Sequence, residues 1–174
     1  MVELVIKSSV ISICVSIVVI TFIAAIFFKQ LGWGIFAVIP LSAAVILNFG
    51  FMGILKIDLN HVTALLSSVI IGVGVDFAIH YISQYRRLAR AKVPVATRSN
   101  RVIDEVGYPI ILDALSNMAF GALLLSEFVP LQHMGGLMVF AMFSTSFGTL
   151  TILSSLLELT GRRKKVMKKL LGEQ

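Results

Sequence analysis

The sequence predicts an all-α membrane protein, a polytopic bundle of five transmembrane helices. Hydrophobic residues make up 57% of the 174 residues and charged residues only 14%, and the mean hydropathy is +0.96. Soluble domains are only about half apolar. The apolar residues also occur in blocks of about 20, the length that a helix needs to cross a bilayer. These blocks lack the alternation of outer-membrane strands, so helices are the expected spanning elements.

Five segments have the length and composition of a transmembrane helix. They are residues 9–28, 34–55, 62–83, 106–126 and 134–158. The first two are joined so tightly that they must be antiparallel neighbours, with Trp33 as an interfacial anchor. Pro40 falls inside the second, where a kink is tolerated if neighbours satisfy the freed carbonyl. Asp58 or Asn60 is available to cap the third. The first shows no small-residue cleavage site, so we interpret it as a retained span and not a removed signal.

The connection at residues 84–105 is long and basic. Its six basic residues are Arg86, Arg87, Arg90, Lys92, Arg98 and Arg101. After Pro94, a modest apolar periodicity predicts a short helix that lies on the membrane surface before the chain turns inward at Gly107. We therefore divide the chain into a transmembrane domain, residues 1–161, and a basic cytoplasmic tail, residues 162–174.

The distribution of lysine and arginine predicts the orientation of the protein in a cell or inner membrane. If the 84–105 connection and the tail are cytoplasmic, that side carries 13 of the 15 basic residues, and only Lys7 and Lys56 lie outside. Five spans then place the N-terminus outside and the C-terminus in the cytoplasm, which suggests a further segment upstream. A nucleic-acid surface would also be basic, but charges next to span ends favour insertion signals and contact with anionic lipid, so we expect no nucleic acid.

The sequence gives no support for an enzyme, a cofactor or a metal site. Cys14 is the only cysteine, which excludes an intramolecular disulfide and a cysteine-based cluster. Asp76 and His80 form a single i, i+4 pair, and the other histidines are expected on the opposite side of the membrane. Zinc-protease, serine-hydrolase and Walker motifs do not occur in the sequence.

Polar residues inside two predicted spans indicate function, because an aspartate at a helix centre costs on the order of 2.5 to 3.5 kcal/mol on insertion scales. Such an aspartate is expected to face the protein interior or water. Two sets are spaced by four, so each set shares one helix face: Gly72, Asp76 and His80, then Asp113, Asn117 and Gly121. We expect Gly72 to let another helix approach closely, Gly74 to loosen the same turn, and Gly121 to serve helix packing.

Asp76 and Asp113 are predicted to lie at a similar depth. Each is seven residues from the end of its span next to the 84–105 connection, about 10 Å inside that boundary. The two carboxyl groups could therefore meet across a helix interface and share one proton near neutral pH. We predict a proton relay of Asp76, Asp113, His80 and Asn117. The alternative for the two aspartates is a structural hydrogen bond. The alternative for Asn117 is a hydrogen bond between helices, and for His80 it is ordinary hydration.

The stretch GVGVDFAIHYISQYRR, residues 72–87, resembles the GxxxD signature of the resistance-nodulation-division (RND) superfamily, and most closely its MmpL-like branch of lipid and hopanoid exporters. Gly72 and Asp76 match the signature, His80 fits its histidine, and Phe77 stands where that branch usually has tyrosine. Residues 105–136, EVGYPIILDALSNMAFGALLLSEFVPLQHMGG, are similar to the two spans that follow the signature.

This resemblance implies a five-span portion of one six-span repeat that lacks the first span and the porter domain. It also implies proton-driven export of lipid or other hydrophobic substrates, with Asp76 as the proton-coupling residue. The chain would then be a truncated or split subunit that contacts membrane lipids and needs a partner chain or second repeat.

Two other functions are compatible with the same helices. A sterol-sensing-like module would bind lipid or a partner helix without transport. A protein translocation accessory would resemble the Sec-associated members of the superfamily. An Asp76→Asn substitution discriminates, because it should stop proton coupling but not lipid binding.

Overall fold

Five long helices form the fold in the computed structural model of the chain, which describes residues 2–57 and 61–161. They are α1 Val2–Phe28, α2 Leu31–Ile54, α3 His61–Arg90, α4 Val95–Asn117 and α5 Val129–Gly148. A 3₁₀ segment, Met118–Leu125, extends α4, and a π-helical turn, Thr149–Leu153, extends α5 into a helix that continues to Gly161. The described part contains no strand, which confirms the all-α prediction. The expected caps Asp58 and Asn60 and the tail 162–174 lie outside the described residues.

The helices have the dimensions of membrane spans. Four described stretches are long and apolar enough to cross a bilayer: Val10–Phe28, Leu31–Ile54, Val95–Leu125 and Val129–Gly161. The remaining predicted span, residues 62–83, lies within α3. Large apolar side chains also cover much of the outer surface, as Val18 and Phe22 of α1 show with 66% and 63% exposure. A multi-pass membrane protein is therefore the architecture of this chain.

The connection between α3 and α4 differs from the prediction. Both helices extend into it, so only residues 91–94 lie between them. The predicted turn at Gly107 is wrong, because α4 runs unbroken through Gly107 and Pro109. Polar residues that suggested a surface segment instead form side-chain contacts between α3 and α4. Glu105 accepts a hydrogen bond from Gln84 Nε2 and forms an ion pair with Arg87 at 2.8 Å.

Helix α3 is the centre of the bundle and contacts α1, α2, α4 and α5. Its largest fully buried side chains include Phe77 and Tyr81. The α1–α2 turn, residues 91–94 and Gly161 all lie at one end of the bundle, which we call the basic end. Arg86 ties that end together, because its Nη1 donates to the carbonyl of Phe28 at 3.0 Å while its guanidinium lies over the Phe28 ring.

A lysine follows the C-terminus of each of α1, α2 and α3 and adopts the same backbone conformation. Lys29, Lys56 and Lys92 have φ angles of 54°, 54° and 59°, a left-handed conformation that is uncommon outside glycine. At the end of α3, Lys92 N donates to Ala89 O at 3.2 Å and Val93 N donates to Leu88 O at 3.1 Å. These two bonds define a Schellman motif, and the other two helix ends show the same pair.

A Lys92→Gly substitution is expected to raise the free energy of unfolding by about 1 kcal/mol, because glycine adopts the left-handed conformation without a steric cost from Cβ. Lys92 is exposed, so little packing is lost. Lys92→Ala is the matched control, since it removes the same side chain but keeps Cβ. Thermal unfolding in detergent measures the effect. A melting temperature for the glycine variant at or below that of the alanine variant would contradict this account.

Candidate functional site

The sequence motif lies on a face of α3 that the rest of the chain leaves uncovered. Val69, Gly72, Asp76 and His80 are all exposed, and their spacing of three and four residues aligns them in one stripe along the helix. We call these four residues the α3 stripe. The neighbouring side chains Phe77, Ala78 and Tyr81 are fully buried on the opposite side. The polar groups of the motif therefore point away from the core of this chain.

The side chain of Asp76 has no hydrogen bond or ion pair to any described residue. It was expected to face the protein interior or water, and within this chain it lies on an exposed face of α3, away from the core. The physical reason is that α3 buries its Phe77 and Tyr81 side, and Asp76 is turned about 100° from Phe77 around the helix. Any protein group that covers Asp76 has to come from outside the described residues.

His80 and Asp113 are brought together at one cavity between α3 and α4, which we call the α3–α4 cavity. It has a volume of about 260 Å³, and its other lining residues are Phe77, Val106, Pro109 and Ile110. Both polar side chains are exposed, so the cavity is open to its surroundings. Asp76 does not line this cavity. Asp113 thus shares a cavity with His80, whereas the sequence had suggested a pair of aspartates.

Asn117 orients Asp113 from one turn further along α4. Its Nδ2 donates to Asp113 Oδ1 at 3.1 Å and to the Asp113 carbonyl at 3.0 Å. Both bonds lie within one helix, and the predicted alternative of a bond to another helix is not seen for Asn117 among the described residues. Through the bond to Oδ1, Asn117 contacts the carboxylate of Asp113, which lines the α3–α4 cavity.

The three predicted packing glycines have different surroundings. A Cβ at Gly74 would lie 2.6 Å from Thr145 Cγ2 of α5, and one at Gly121 would lie 2.9 Å from Val139 Cγ2. Nothing lies within 4 Å of the corresponding position at Gly72. Within the chain, the close approach of α3 to α5 therefore depends on Gly74. Gly72 leaves an open position on the exposed α3 stripe.

A row of polar residues in the core of α5 was not predicted from the sequence. Ser144, Thr145 and Ser146 donate to carbonyls of their own helix. Thr149 Oγ1 and the facing helix's Asn48 Oδ1 are buried without a hydrogen-bond partner among the described residues. The run STSFGT, residues 144–149, was the available signal, because five hydroxyl or small residues in six are unusual in an apolar span. The π-helical turn begins at Thr149, and such turns often occur at functional sites.

A second cavity lies between α2 and α5, beside this turn, and we call it the α2–α5 cavity. It measures about 290 Å³, and apolar side chains such as Leu47, Phe140, Phe143 and Phe147 line most of it. Pro40 also lines it, close to Gly148. The described residues contain no group of three or more histidine, cysteine, aspartate or glutamate side chains that could hold a metal ion.

Residues 26–171 match the family model described as the sterol-sensing domain of SREBP cleavage-activation. A protein of Methanocaldococcus jannaschii that is named as a membrane protein is 27% identical over 161 residues. The aligned region covers 91% of this chain and 42% of that relative, so the chain spans less than half of the relative's length. The matched residues of the family model include the whole of α2, α3, α4 and α5.

Proposed function

The chain belongs to the sterol-sensing domain family. From this premise we propose that it is the membrane part of a proton-driven exporter of lipid or other hydrophobic molecules. More narrowly, we assign it to the MmpL-like branch of the RND superfamily. A second repeat or a partner chain completes the transporter. The basic end faces the cytoplasm, since positive charge is concentrated there.

The observation that carries this proposal is the exposure of Asp76 on the α3 stripe. An aspartate against acyl chains is costly, and charged residues inside membranes normally face protein or water. A partner helix that packs on the stripe would shield Asp76 from lipid, and the open position at Gly72 would allow that helix to approach closely. A proton site completed by a partner explains why an acid is kept at this position.

The α3–α4 cavity supplies a route for the proton toward the basic end. His80 lies one turn from Asp76 in that direction and lines the cavity with Asp113. About 260 Å³ is ample for several water molecules, each of which occupies about 30 Å³ in the liquid. Water and two titratable side chains can pass a proton between Asp76 and the cytoplasm. Moving one charge through the membrane potential supplies about 2.3 kcal/mol per 100 mV, which can bias two arrangements of the helices.

Reconstitution of the native assembly into vesicles tests this function. A fluorescent lipid analogue is placed on the cytoplasmic side, and its export is followed with and without an inward proton gradient. The gradient is expected to drive export, and a protonophore is expected to stop it. Export that continues unchanged with the protonophore, or binding of the analogue without any movement, would contradict proton coupling.

A sterol-sensing-like lipid-binding module is the second candidate, and the α2–α5 cavity favours it. The cavity is apolar and lies between two membrane helices, which suits a sterol or acyl chain. A photoreactive sterol would label Phe143 or Phe147 if this candidate is correct. Labelling that saturates and does not respond to a proton gradient, together with an absence of export, would favour the binding module over the exporter.

A further inference from the structure

A third cavity, at the basic end of the bundle, belongs to neither of the sites above. It measures about 250 Å³ and lies where the starts of α2 and α4 meet the ends of α3 and α5. Its lining combines aromatic and polar side chains, among them Trp33, Phe36, Tyr85, Arg98 and Thr160. We call it the basic-end cavity. An apolar wall with a cation at a span end is suited to a ligand that is itself amphipathic.

Arg98 is the cation of this cavity and is held in place before any ligand binds. Its Nη2 donates to Val93 O at 2.7 Å, and its guanidinium lies 5.2 Å from the centroid of the Tyr85 ring. Its Nε is buried and has no hydrogen-bond partner among the described residues. A buried donor without an acceptor is unfavourable, so a ligand oxygen at this point would be stabilised. Because the Arg98 side chain is already ordered, binding loses less side-chain conformational entropy.

The surroundings of the cavity are positively charged. Arg86 lies behind the cavity wall, with its guanidinium 5.6 Å from the centroid of the Trp33 ring. Glu158 is an opposing charge, close enough to Tyr85 to interact with it electrostatically. Among these described residues two arginines therefore stand against one glutamate, a net positive charge that favours an anionic ligand.

We propose that the basic-end cavity binds the phosphate of an anionic membrane lipid, with Arg98 as its main ligand. The planar guanidinium suits phosphate oxygens, and basic pockets between helices at the cytoplasmic side of membranes bind such headgroups. Trp33 and Phe36 then contact the glycerol and the first acyl carbons, at the depth where tryptophan is enriched. This inference does not depend on proton coupling, so either can fail without the other.

Trp33 is the only tryptophan of the chain and lines the cavity, so its fluorescence reports directly on binding. The protein in detergent is titrated with dioctanoyl phosphatidylglycerol, dioctanoyl phosphatidylcholine or inorganic phosphate. We expect a saturable change with phosphatidylglycerol at a concentration at least about ten-fold lower than with the zwitterionic lipid. Equal responses to the two lipids would overturn the proposal. The same response to inorganic phosphate alone would overturn the assignment to a lipid.

Substitutions at two arginines of α4 separate a built site from general attraction to positive charge. Arg98→Gln is expected to weaken binding of phosphatidylglycerol about ten-fold or more, because charge-assisted hydrogen bonds are lost. Arg101→Gln is the matched control, since Arg101 is exposed and does not line the cavity; we expect a change of less than about two-fold. Arg98→Lys, which keeps the charge but lacks the guanidinium fork, should fall between them. Equal losses of affinity for phosphatidylglycerol in Arg98→Gln and Arg101→Gln would refute a specific site. If Arg98→Gln does not fold, the comparison of the two lipids on the unmodified protein decides whether the cavity prefers an anionic lipid.

Discussion

Proton-driven export is expected to fall by about 100-fold or more when Asp76 is replaced by asparagine, because asparagine has nearly the same size but cannot take up and release a proton. The fold should not change, since the side chain of Asp76 makes no hydrogen bond or ion pair to the described residues. Lipid binding in the α2–α5 cavity should also persist, because Asp76 does not line that cavity. The substitution therefore separates transport from binding.

Glu127→Gln is the matched control for this experiment. It makes the same chemical change at an exposed acid in the connection before α5. Both variants are reconstituted with the native assembly, and export of the lipid analogue is measured with the proton gradient. The control should retain export, and both variants should unfold at the temperature of the unmodified protein in detergent. Gradient-driven export by Asp76→Asn at the unmodified rate would show that Asp76 does not carry the proton.

A Gly74→Ala substitution is expected to destabilise the bundle by about 1 to 3 kcal/mol through overpacking. The new Cβ would lie 2.6 Å from Thr145 Cγ2. Thr145 is completely buried, and its Oγ1 donates to Ala141 O at 2.6 Å, which resists rotation of the side chain. The two helices must therefore move apart. Thermal unfolding in detergent measures the loss of stability.

Gly72→Ala controls for helix propensity, because it lies two residues earlier with nothing within 4 Å of its Cβ position. It should leave stability unchanged or raise it by up to about 1 kcal/mol, since alanine is the better helix former. Thr145→Ser removes Cγ2, so we expect it to restore part of the stability lost in Gly74→Ala. Equal stabilities of the two alanine variants would contradict a close contact at Gly74.

Much of the fold followed from the sequence because spans of about 20 apolar residues have few other possible structures. The connection between α3 and α4 did not, because Gln84, Arg87 and Glu105 have the composition of a loop. In the structure these residues lie on two extended helices and contact each other, which a linear pattern does not reveal.

The candidate site was predictable in part for a related reason. Helical spacing correctly placed Asp76 and His80 on one face, because that depends only on the geometry of α3. It could not say whether this face meets the core, which depends on where the other helices pack. The same limit explains the glycines: Gly72 and Gly74 are two residues apart and therefore point in different directions, and only the packing of α5 decides which of them is crowded.

The strained lysines at the helix ends connect the finished fold with its biogenesis. Glycine would suit the left-handed backbone at Lys29 and Lys92 better, but with the basic end in the cytoplasm, as proposed above, it would remove positive charges that direct membrane insertion of the nascent chain. Lys56 has the same backbone conformation at the opposite end, where a positive charge gives no such guidance. Glycine at position 56 should therefore raise the stability of the folded protein without changing its orientation in the membrane. Glycine at both positions 29 and 92 should also raise the stability, but it should increase the fraction of molecules inserted in the opposite orientation.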